Sequence, residues 1–398
     1  MKSDILLVGV DGGATKVNCW SIYIDESDRF SLGSCQAGKS YSEYSDYDPE
    51  FIPVDLKIQL KERETGNIIP TEKEIQQGKA YTRACADSII EVVKQSNCTR
   101  VLVGIGMPGL KTENQRGISA MANGPRQISY ADKVEKFLKE ASIELIAPIS
   151  HIGSDAFYCG LGEEYATAGQ FRNVQSSYYL GGGTGAADAL KLDGQLVSLD
   201  EIKDWFVKAW EMKCPEGRSI ETYVSSKGIQ SLYGERTGQA LVDLNNQAIY
   251  PPQIREKALA GDAAAKETLE KVAKYLALLI YERITTLFAG WQGLFEFLNP
   301  QRSVPRKNHP YRNFLFDNII IGQRLGDMLK ESKNDYVLWK PFIHFLSMLI
   351  NEASIIDDST RLHYCPNGQF SEERIVFSKL REAPALGAGI DAFLSYKE

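Results

Sequence analysis

Two glycine-rich turns, each placed directly after a strand-like run, constrain the fold of this chain more than any other feature. The first turn is Asp-Gly-Gly-Ala-Thr-Lys at residues 11–16, after the apolar residues 5–10. The second is Leu-Gly-Gly-Gly-Thr-Gly at residues 180–185, after the strand-like residues 177–179. Each turn leads into a further alternating strand. Because glycines let backbone amides approach an anion, the pair predicts two similar lobes that bind one phosphate tail.

Several residues of these turns are candidate ligands of a nucleotide and its metal ion. Asp11 ends a strand, where its carboxylate can hold Mg²⁺ through water, and the other side chains add hydroxyls and a positive charge. The candidates are Asp11, Gly12, Gly13, Thr15, Lys16, Gly181, Gly182, Gly183, Thr184 and Gly185. Either turn alone could be a purely structural turn, in which the glycines only allow the backbone to bend. The occurrence of two favours phosphate binding.

Asp155 is the candidate for acid–base chemistry. It follows a strand-like run and begins a predicted helix. A carboxylate in that position can accept the proton of a substrate hydroxyl as the oxygen attacks phosphorus. The alternative is that Asp155 only caps the helix. His151 nearby is interpreted as a partly buried polar residue and is assigned no role.

Size and charge limit the class of protein. A chain of 398 residues exceeds the usual size of a single core, which predicts two domains. The formal net charge of −7 and the lack of a basic block argue against nucleic-acid binding. The longest apolar run, near residues 276–280, is too short to span a membrane.

Cysteine usage and the N-terminus predict a cytoplasmic location. The seven cysteines are scattered and never form a Cys-x-x-Cys pair, which is typical of a reduced compartment. Residues 1–4 lead directly into the first strand, so we expect no signal peptide. The four histidines are far apart in the sequence, and we expect no transition-metal site.

The order of predicted elements indicates a parallel sheet covered by helices in the first half and a repeat of the opening pattern in the second. Thr71 and Glu74 form a capping box that begins a helix ending near residue 95. Asp132 is predicted to cap a second helix. The remaining predictions are strands at residues 17–24, 30–32, 101–105, 144–149 and 318–321, a hairpin turn at 193–194, a long amphipathic helix at 263–291 and a small-residue helix at 384–390.

Together these motifs resemble the hexokinase/actin-type ATPases and, within them, the ROK (repressor, open reading frame, kinase) sugar kinases. Residues 11–16 resemble that family's first phosphate motif, and Gly-Met-Pro-Gly at 106–109 resembles its Gly-x-Pro-Gly. Residues 154–163 resemble its catalytic segment. Residues 180–185 with the hairpin at 193–194 resemble the second phosphate motif. The strand ending at Gly322 resembles the adenosine-side strand. The matches follow the family's order over nearly the whole chain.

The resemblance implies an α/β fold of two duplicated lobes, hexokinase/actin-like and ribonuclease H-like, with an interlobe cleft. The lobes would comprise residues 1–150 and 151–398, with the C-terminal helix packing back on the first. It implies ATP and Mg²⁺, with Asp155 as catalytic base and Gly322 on the adenosine side. The implied acceptor residues are Asn123, Ser154, Asp155 and Glu163, and Glu211 is a further candidate from the segment that replaces the family's own. Family members are often homodimers, and the sequence leaves the oligomeric state open.

The chain departs from the family pattern around the sugar site. The Glu-x-Gly-His segment is replaced by residues 200–212, which contain no histidine. The family's cysteine-rich zinc motif is absent, and only residues 214–221 resemble part of it. No structural zinc is therefore predicted. Ser154 replaces the usual Asn. Trp205 and Trp210, on a predicted amphipathic helix, would either stack on a sugar or pack in the core.

The prediction is therefore an ATP-dependent carbohydrate kinase acting on a hexose or amino sugar. The alternative is a non-catalytic sugar or nucleotide sensor on the same fold, which the altered sugar segment favours and the retained Asp155 disfavours. An ATPase with an iron–sulfur cluster is rejected, since it needs clustered cysteines. Because no helix-turn-helix precedes Met1, we do not expect the family's repressor architecture.

Overall fold

The computed structural model describes residues 5–397 and divides into two compact units. The first unit comprises Met1–Gly169 and Glu382–Glu398, and the second comprises Gln170–Arg381. The boundary thus differs from the one predicted at residue 150, because the helix that begins at Asp155 packs within the first unit. Residues 1–4, which we expected to lead directly into the first strand, lie outside the described residues.

The strands of the first unit form one mixed sheet and a separate short hairpin. Five strands follow the order β3-β2-β1-β4-β7, β8 also pairs with β4, and β5 pairs with β6. Their bounds are β1 (Leu6–Gly12), β2 (Lys16–Ile24), β3 (Phe30–Ser40), β4 (Arg100–Gly106), β5 (Leu110–Lys111), β6 (Ile118–Ala120), β7 (Glu144–Leu145) and β8 (Ile152–Gly153).

The central strand β1 explains the architecture of this sheet. It pairs with β2 in antiparallel and with β4 in parallel orientation, and Val8 and Val10 are fully buried. This burial explains the continuous apolar run before Asp11. The strand predicted at 144–149 is wrong in length, since only Glu144–Leu145 pair with β4. The chain returns to β4 at β8, close to Asp155.

The helices of the first unit confirm one predicted start and correct another. Besides the C-terminal helix, they are α1 (Leu56–Glu64), α2 (Glu72–Ser96), α3 (Tyr130–Glu140) and α4 (Asp155–Tyr165). The capping box of α2 is confirmed, since the Glu74 amide donates to Thr71 Oγ1 and the Thr71 amide donates to Glu74 Oε2. Asp132 does not cap α3, whose N-cap residue is Ser129. Its carboxylate instead accepts hydrogen bonds from Arg116.

The second unit repeats the strand–turn–strand pattern of the first. Its main sheet has the order β11-β10-β9-β14-β15, and β12 pairs with β13. The predicted hairpin turn is confirmed: Asp193 and Gly194 join β10 to β11 with φ of 51° and 75°. The bounds are β9 (Ser177–Gly182), β10 (Ala186–Leu192), β11 (Gln195–Val197), β12 (Met212–Lys213), β13 (Glu296–Phe297), β14 (Asn318–Gly322) and β15 (Ile375–Phe377).

The helices of the second unit surround a large apolar core. The bounds are α5 (Glu221–Val224), α6 (Ser226–Thr237), α7 (Leu241–Asn246), α8 (Pro251–Leu259), α9 (Ala263–Ala289), α10 (Gln323–Glu331), α11 (Trp339–Glu352) and α12 (Asp358–Tyr364). The long helix α9 begins where predicted, with Asp262 Oδ1 accepting from the Ala265 amide at 2.8 Å. It ends at Gly290, whose φ of 83° favours glycine.

The C-terminal helix α13 (Ala383–Lys397) belongs to the first unit and packs against α4, β1 and β4. Its small residues permit very close approach to the sheet. A Cβ on Gly104 would lie 1.8 Å from the Ala388 carbonyl oxygen, and one on Gly9 would lie 1.9 Å from that of Ala385. Glycine is therefore required at both strand positions. Across the described part of the chain, no helix is long and apolar enough to cross a membrane.

Candidate functional site

The carboxyl ends of three parallel strands of the first unit are aligned in register. Asp11 on β1 lies beside Gly106 on β4, and Gly106 lies beside Gly153 on β8. Asp155 follows two residues later, at the start of α4. One edge of the sheet therefore carries the first glycine turn, the Gly-x-Pro-Gly segment and Asp155. This edge, at the carboxyl ends of the strands, is where α/β folds bind ligands.

The carboxylate of Asp11 lies in a negative environment. Its pKa is raised from 3.8 to about 7, chiefly by burial and also by the charges of Asp155 and Glu382, whereas the charge of Lys16 lowers it. Such an environment disfavours the ionised carboxylate and favours a bound cation. Glu382, which directly precedes α13, was not identified from the sequence. It lies far from Asp11 along the chain, and no sequence pattern connects the two residues.

Asp155 and Ser154 lie together at the start of α4, both partly exposed. Asp155 Oδ1 accepts a hydrogen bond from the Ala156 amide at 2.9 Å. Glu163 lies eight residues further along this helix, about 12 Å away at the usual rise per residue, and is fully buried. The structure thus brings Ser154, but not Glu163, to the position of Asp155.

Two buried tyrosines support the first glycine turn. Tyr41 donates its hydroxyl hydrogen to the Gly13 carbonyl at 3.0 Å, and Tyr81 donates to the Ala14 carbonyl at 2.7 Å. The two rings stack with centroids 3.7 Å apart. Sequence reasoning gave neither residue a role, because the two hydrogen bonds span 28 and 67 positions of the chain. Thr15 is exposed, which leaves its hydroxyl accessible.

Asn123 lies on an exposed turn between β6 and α3. The next residue, Gly124, packs against the hydroxyl of Tyr81, since a Cβ on Gly124 would lie 3.2 Å from that oxygen. Tyr81 in turn holds the Ala14 carbonyl. The structure therefore places the Asn123 turn next to the first glycine turn.

The second glycine turn begins at the carboxyl end of β9. Gly181 lies beside Gly322 on the parallel strand β14, so the predicted phosphate and adenosine motifs are neighbours. Within the turn, the Gly183 amide donates to the Gly185 carbonyl at 3.0 Å, and Thr184 is exposed. The turn thus has a closed, defined shape with an accessible hydroxyl.

Glu221 and Gln323 border the second turn, and sequence reasoning gave neither a role. Glu221 Oε2 accepts from the Ala186 amide at 2.8 Å. Gln323 adopts a φ of 58°, uncommon for a residue with a side chain. Its Oε1 would lie 2.5 Å from a Cβ on Gly183. Glu221 could have been noticed, because it ends the 214–221 segment that resembles the family's zinc motif. No sequence pattern pointed to Gln323.

The 200–212 stretch does not form the predicted amphipathic helix. It consists of turns and a 3-10 helix at Ala209–Glu211. Trp205 is buried and stacks on His309, with centroids 4.0 Å apart, which fits the core interpretation. Trp210 is 47% exposed, and the Glu211 carboxylate pairs with Arg302.

The donor set of the first unit fits a magnesium ion held mainly by water and phosphate. Among residues 5–397, no group of three His, Cys, Asp or Glu side chains is arranged to hold a metal ion directly. Mg²⁺ is commonly bound through one or two carboxylates, with the rest of its shell from water and phosphate oxygens. Asp11, which Asp155 and Glu382 make electrostatically receptive, fits that role.

Comparisons with known proteins identify one family. A sequence model of the ROK family matches residues 60–289, more than half of the chain. No curated protein matches. The fold is shared with a ROK family glucokinase from Streptomyces griseus in complex with glucose and AMPPNP (TM-score 0.55, 14% identity, 97% of this chain and 98% of that chain).

Two further solved structures share the fold. One is the ROK hexokinase from Thermus thermophilus (TM-score 0.54, 14% identity, 98% of this chain and 99% of that chain). The other is a ROK family transcriptional regulator, a homolog of the E. coli MLC protein (0.51, 13%, 98% and 79%). At these identities the likeness shows the fold, a hexokinase/actin-like α/β architecture, and the fold serves both a kinase and a regulator.

Proposed function

The chain belongs to the ROK family, and from that premise we propose that it is an ATP-dependent carbohydrate kinase. The observation that carries the proposal is the alignment of Asp11, Gly106 and Asp155 at one edge of the first sheet. A carboxylate suited to a cation and a second carboxylate at a helix start are the two acidic groups that phosphoryl transfer to a hydroxyl requires.

Asp155 would accept the proton of the acceptor hydroxyl as its oxygen attacks the γ-phosphorus. Asp11 would hold Mg²⁺ through water, with Thr15 and Lys16 beside it. Bound Mg-ATP would supply the phosphoryl group and part of the charge compensation. The second turn would hold the terminal phosphates through its amides and Thr184, and Gly322 would lie on the adenosine side.

Asn123 and Ser154 are proposed acceptor contacts, since Asn123 lies near the first glycine turn and Ser154 lies beside Asp155. Glu211 remains the acidic candidate of the 200–212 stretch. Glu163 is retained as a proposal only through the family motif, because its side chain is buried. A hexose or amino sugar is the proposed substrate class, in line with the glucose complex of the Streptomyces glucokinase. The scattered cysteines, none in a Cys-x-x-Cys pair, support a cytoplasmic location.

The proposal is tested by incubating the protein with Mg-ATP and a panel of hexoses and N-acetylated amino sugars. We expect turnover on at least one sugar, reduced by about a hundredfold or more in Asp155→Asn. Asp132→Asn is the matched control, because Asp132 also lies in a first helical turn but pairs with Arg116. Lack of turnover on every sugar, with Asp155→Asn indistinguishable from wild type, would overturn the proposal.

The alternative is a non-catalytic sugar-binding regulator, which the likeness to the MLC-type regulator supports. It predicts that a sugar raises the melting temperature without any release of ADP. The same panel, followed by thermal shift and by a coupled ADP assay, separates the two functions.

A further inference from the structure

The 200–212 stretch, which replaces the family's sugar segment, has little regular structure of its own. Its conformation is set by a second segment far away in the sequence, the 296–312 loop. The two segments are joined by a short antiparallel ladder, in which Met212 pairs with Phe297 and Lys213 with Glu296. The Leu298 amide also donates to the Glu211 carbonyl at 2.9 Å.

Arg302 is the centre of this contact. Its Nε donates to Glu211 Oε2, and its Nη2 donates to the Lys203 carbonyl at 2.9 Å. One guanidinium thus bridges two residues eight positions apart in the stretch. The side chains of Arg302 and Glu211 are 14% and 21% exposed, so water screens this pair only in part. The rigid fork of an arginine suits such a bridge, whereas a lysine would supply one point charge.

Two further contacts of the loop are made to Asp204 and to Trp205. Arg306 pairs with Asp204 at 2.7 Å, but both side chains are more than half exposed. His309 stacks on the buried Trp205 with an interplanar angle of 7°, and its Nε2 lies 2.9 Å from the Thr286 carbonyl. The stack therefore ties the middle of the stretch to α9.

The opposite side of the stretch is attached to the sheet. Asp188 on β10, the strand that follows the second glycine turn, accepts from the Ala209 amide at 2.7 Å. Asp188 is itself buried and paired with Arg283, which lies over the Phe206 ring at 4.4 Å. The stretch is thus held between β10 and the 296–312 loop, and Glu211 lies on the side of the loop, where Arg302 binds it.

We propose that the 296–312 loop determines acceptor specificity, and that Arg302 is a positioning residue that holds the Glu211 carboxylate and the Lys203 backbone in the conformation that recognises the acceptor. This rests on the proposed function, in which the 200–212 stretch contacts the acceptor. Residues 214–221, where the family pattern has a cysteine-rich zinc motif, contain a single cysteine, Cys214. In this chain, Arg302 and the stack of His309 on Trp205 hold the preceding 200–212 stretch.

The test compares Arg302→Ala and Arg302→Lys with Arg306→Ala. Arg306→Ala is the matched control, since it removes an exposed arginine of the same loop and leaves the backbone bond from residue 306 to the Asp204 carbonyl possible. Two quantities are measured: hydrogen–deuterium exchange of the amides of residues 203–212, and the KM values for the acceptor and for ATP.

For Arg302→Ala we expect exchange in residues 203–212 to accelerate and the acceptor KM to rise, each about tenfold or more, with the KM for ATP within about twofold of wild type. Arg302→Lys should lie between Arg302→Ala and wild type. Arg306→Ala should change either quantity by less than about twofold. If Arg302→Ala does not fold, Arg302→Lys carries the comparison.

Unchanged exchange in Arg302→Ala, or a KM increase shared equally by ATP and acceptor, would overturn the proposal. If the wild type phosphorylates no sugar, the kinase proposal fails and so does acceptor specificity. The exchange of residues 203–212 then still decides whether Arg302 holds the stretch, so the two failures are distinguishable.

Discussion

The two glycine turns lie on the same local scaffold but differ in the residue at the end of their central strand. Each central strand, β1 or β9, has an antiparallel partner that follows it and a parallel partner on its other side. In the first scaffold Asp11 faces Gly106 across the parallel pair, whereas in the second Gly181 faces Gly322. One scaffold thus presents a carboxylate where the other presents a glycine without a side chain. In the proposed function, the same geometry would serve a cation in one unit and an anion in the other.

The supports of the two turns also differ. Side-chain hydroxyls of Tyr41 and Tyr81 hold the carbonyls of the first turn. In the second turn, the Gly183 carbonyl accepts from the backbone amide of Ser226 at 2.9 Å. A Cβ on Gly182 would lie 2.4 Å from the Val224 carbonyl oxygen, so close packing also fixes this turn. Single substitutions of side chains should therefore loosen the first turn more easily than the second.

The largest expected effect separates the roles of the two turns. Asp11→Asn removes the charge proposed to hold Mg²⁺ and should lower kcat about a hundredfold or more. Thr184→Val removes one hydroxyl from the second turn and should mainly raise the KM for ATP, by about threefold to tenfold. Steady-state kinetics with varied Mg-ATP measures both. Equal losses of kcat in the two variants would contradict the division into a cation side and an anion side.

A second prediction concerns the stability of the metal-free protein. The pKa of Asp11 is raised from 3.8 to about 7, chiefly by burial, so the folded protein keeps a proton that the unfolded chain has lost. Stability therefore falls as pH rises from about 4 to 7. Asp11→Asn should remove this loss, so the stability of the variant relative to wild type should rise by about 4 kcal/mol between pH 4 and pH 8.

Urea denaturation in EDTA at pH 4 and pH 8 checks this expectation. Asp132→Asn, an exposed carboxylate of α3, should show no such pH-dependent gain. If Asp11→Asn gave the same stability difference from wild type at both pH values, the raised pKa of Asp11 would be refuted.

The sequence was sufficient where the structural signal is local. Both glycine turns, the capping box at Thr71 and the hairpin at Asp193 were predictable, because each depends on residues within about six positions of one another. The alignment of Asp155 with Asp11 was not predicted, because the expected boundary at residue 150 put Asp155 in the second lobe, whereas β8 and α4 belong to the first unit.

The sequence was insufficient where distant residues decide. Asp132 looked like a helix cap, but Arg116 binds its carboxylate and the helix starts earlier. The 200–212 stretch has a helical pattern of apolar residues, yet Arg302 and His309 hold it in turns. The support of the first turn by Tyr81 likewise spans 67 positions. None of these partners can be inferred from spacing within one segment.

A third prediction tests the tyrosine support of the first turn. Tyr81→Phe removes the hydrogen bond to the Ala14 carbonyl and should raise the KM for ATP by about threefold to tenfold, with a smaller change in kcat. Tyr44→Phe is the matched control, because its hydroxyl donates to Asp87 instead of to the turn. A KM for ATP in Tyr81→Phe that equals the control value would show that the turn keeps its shape without this bond.

The smallest expected effect concerns the helix that packs beside Asp155 in the first unit. The hydrogen bond from His151 to Asp391 on α13 raises the pKa of His151 above its usual 6.5, although burial opposes this. The folded state therefore favours the protonated ring, so this contribution to stability is complete below about pH 6.5 and is lost as pH rises through the raised folded-state pKa. His151→Gln should remove this part of the pH dependence, whereas His344→Gln, at an exposed position on α11, should leave it unchanged. Thermal unfolding of the three proteins between pH 6 and 9 measures it, and parallel curves for wild type and His151→Gln would show that α13 is held without this ion pair.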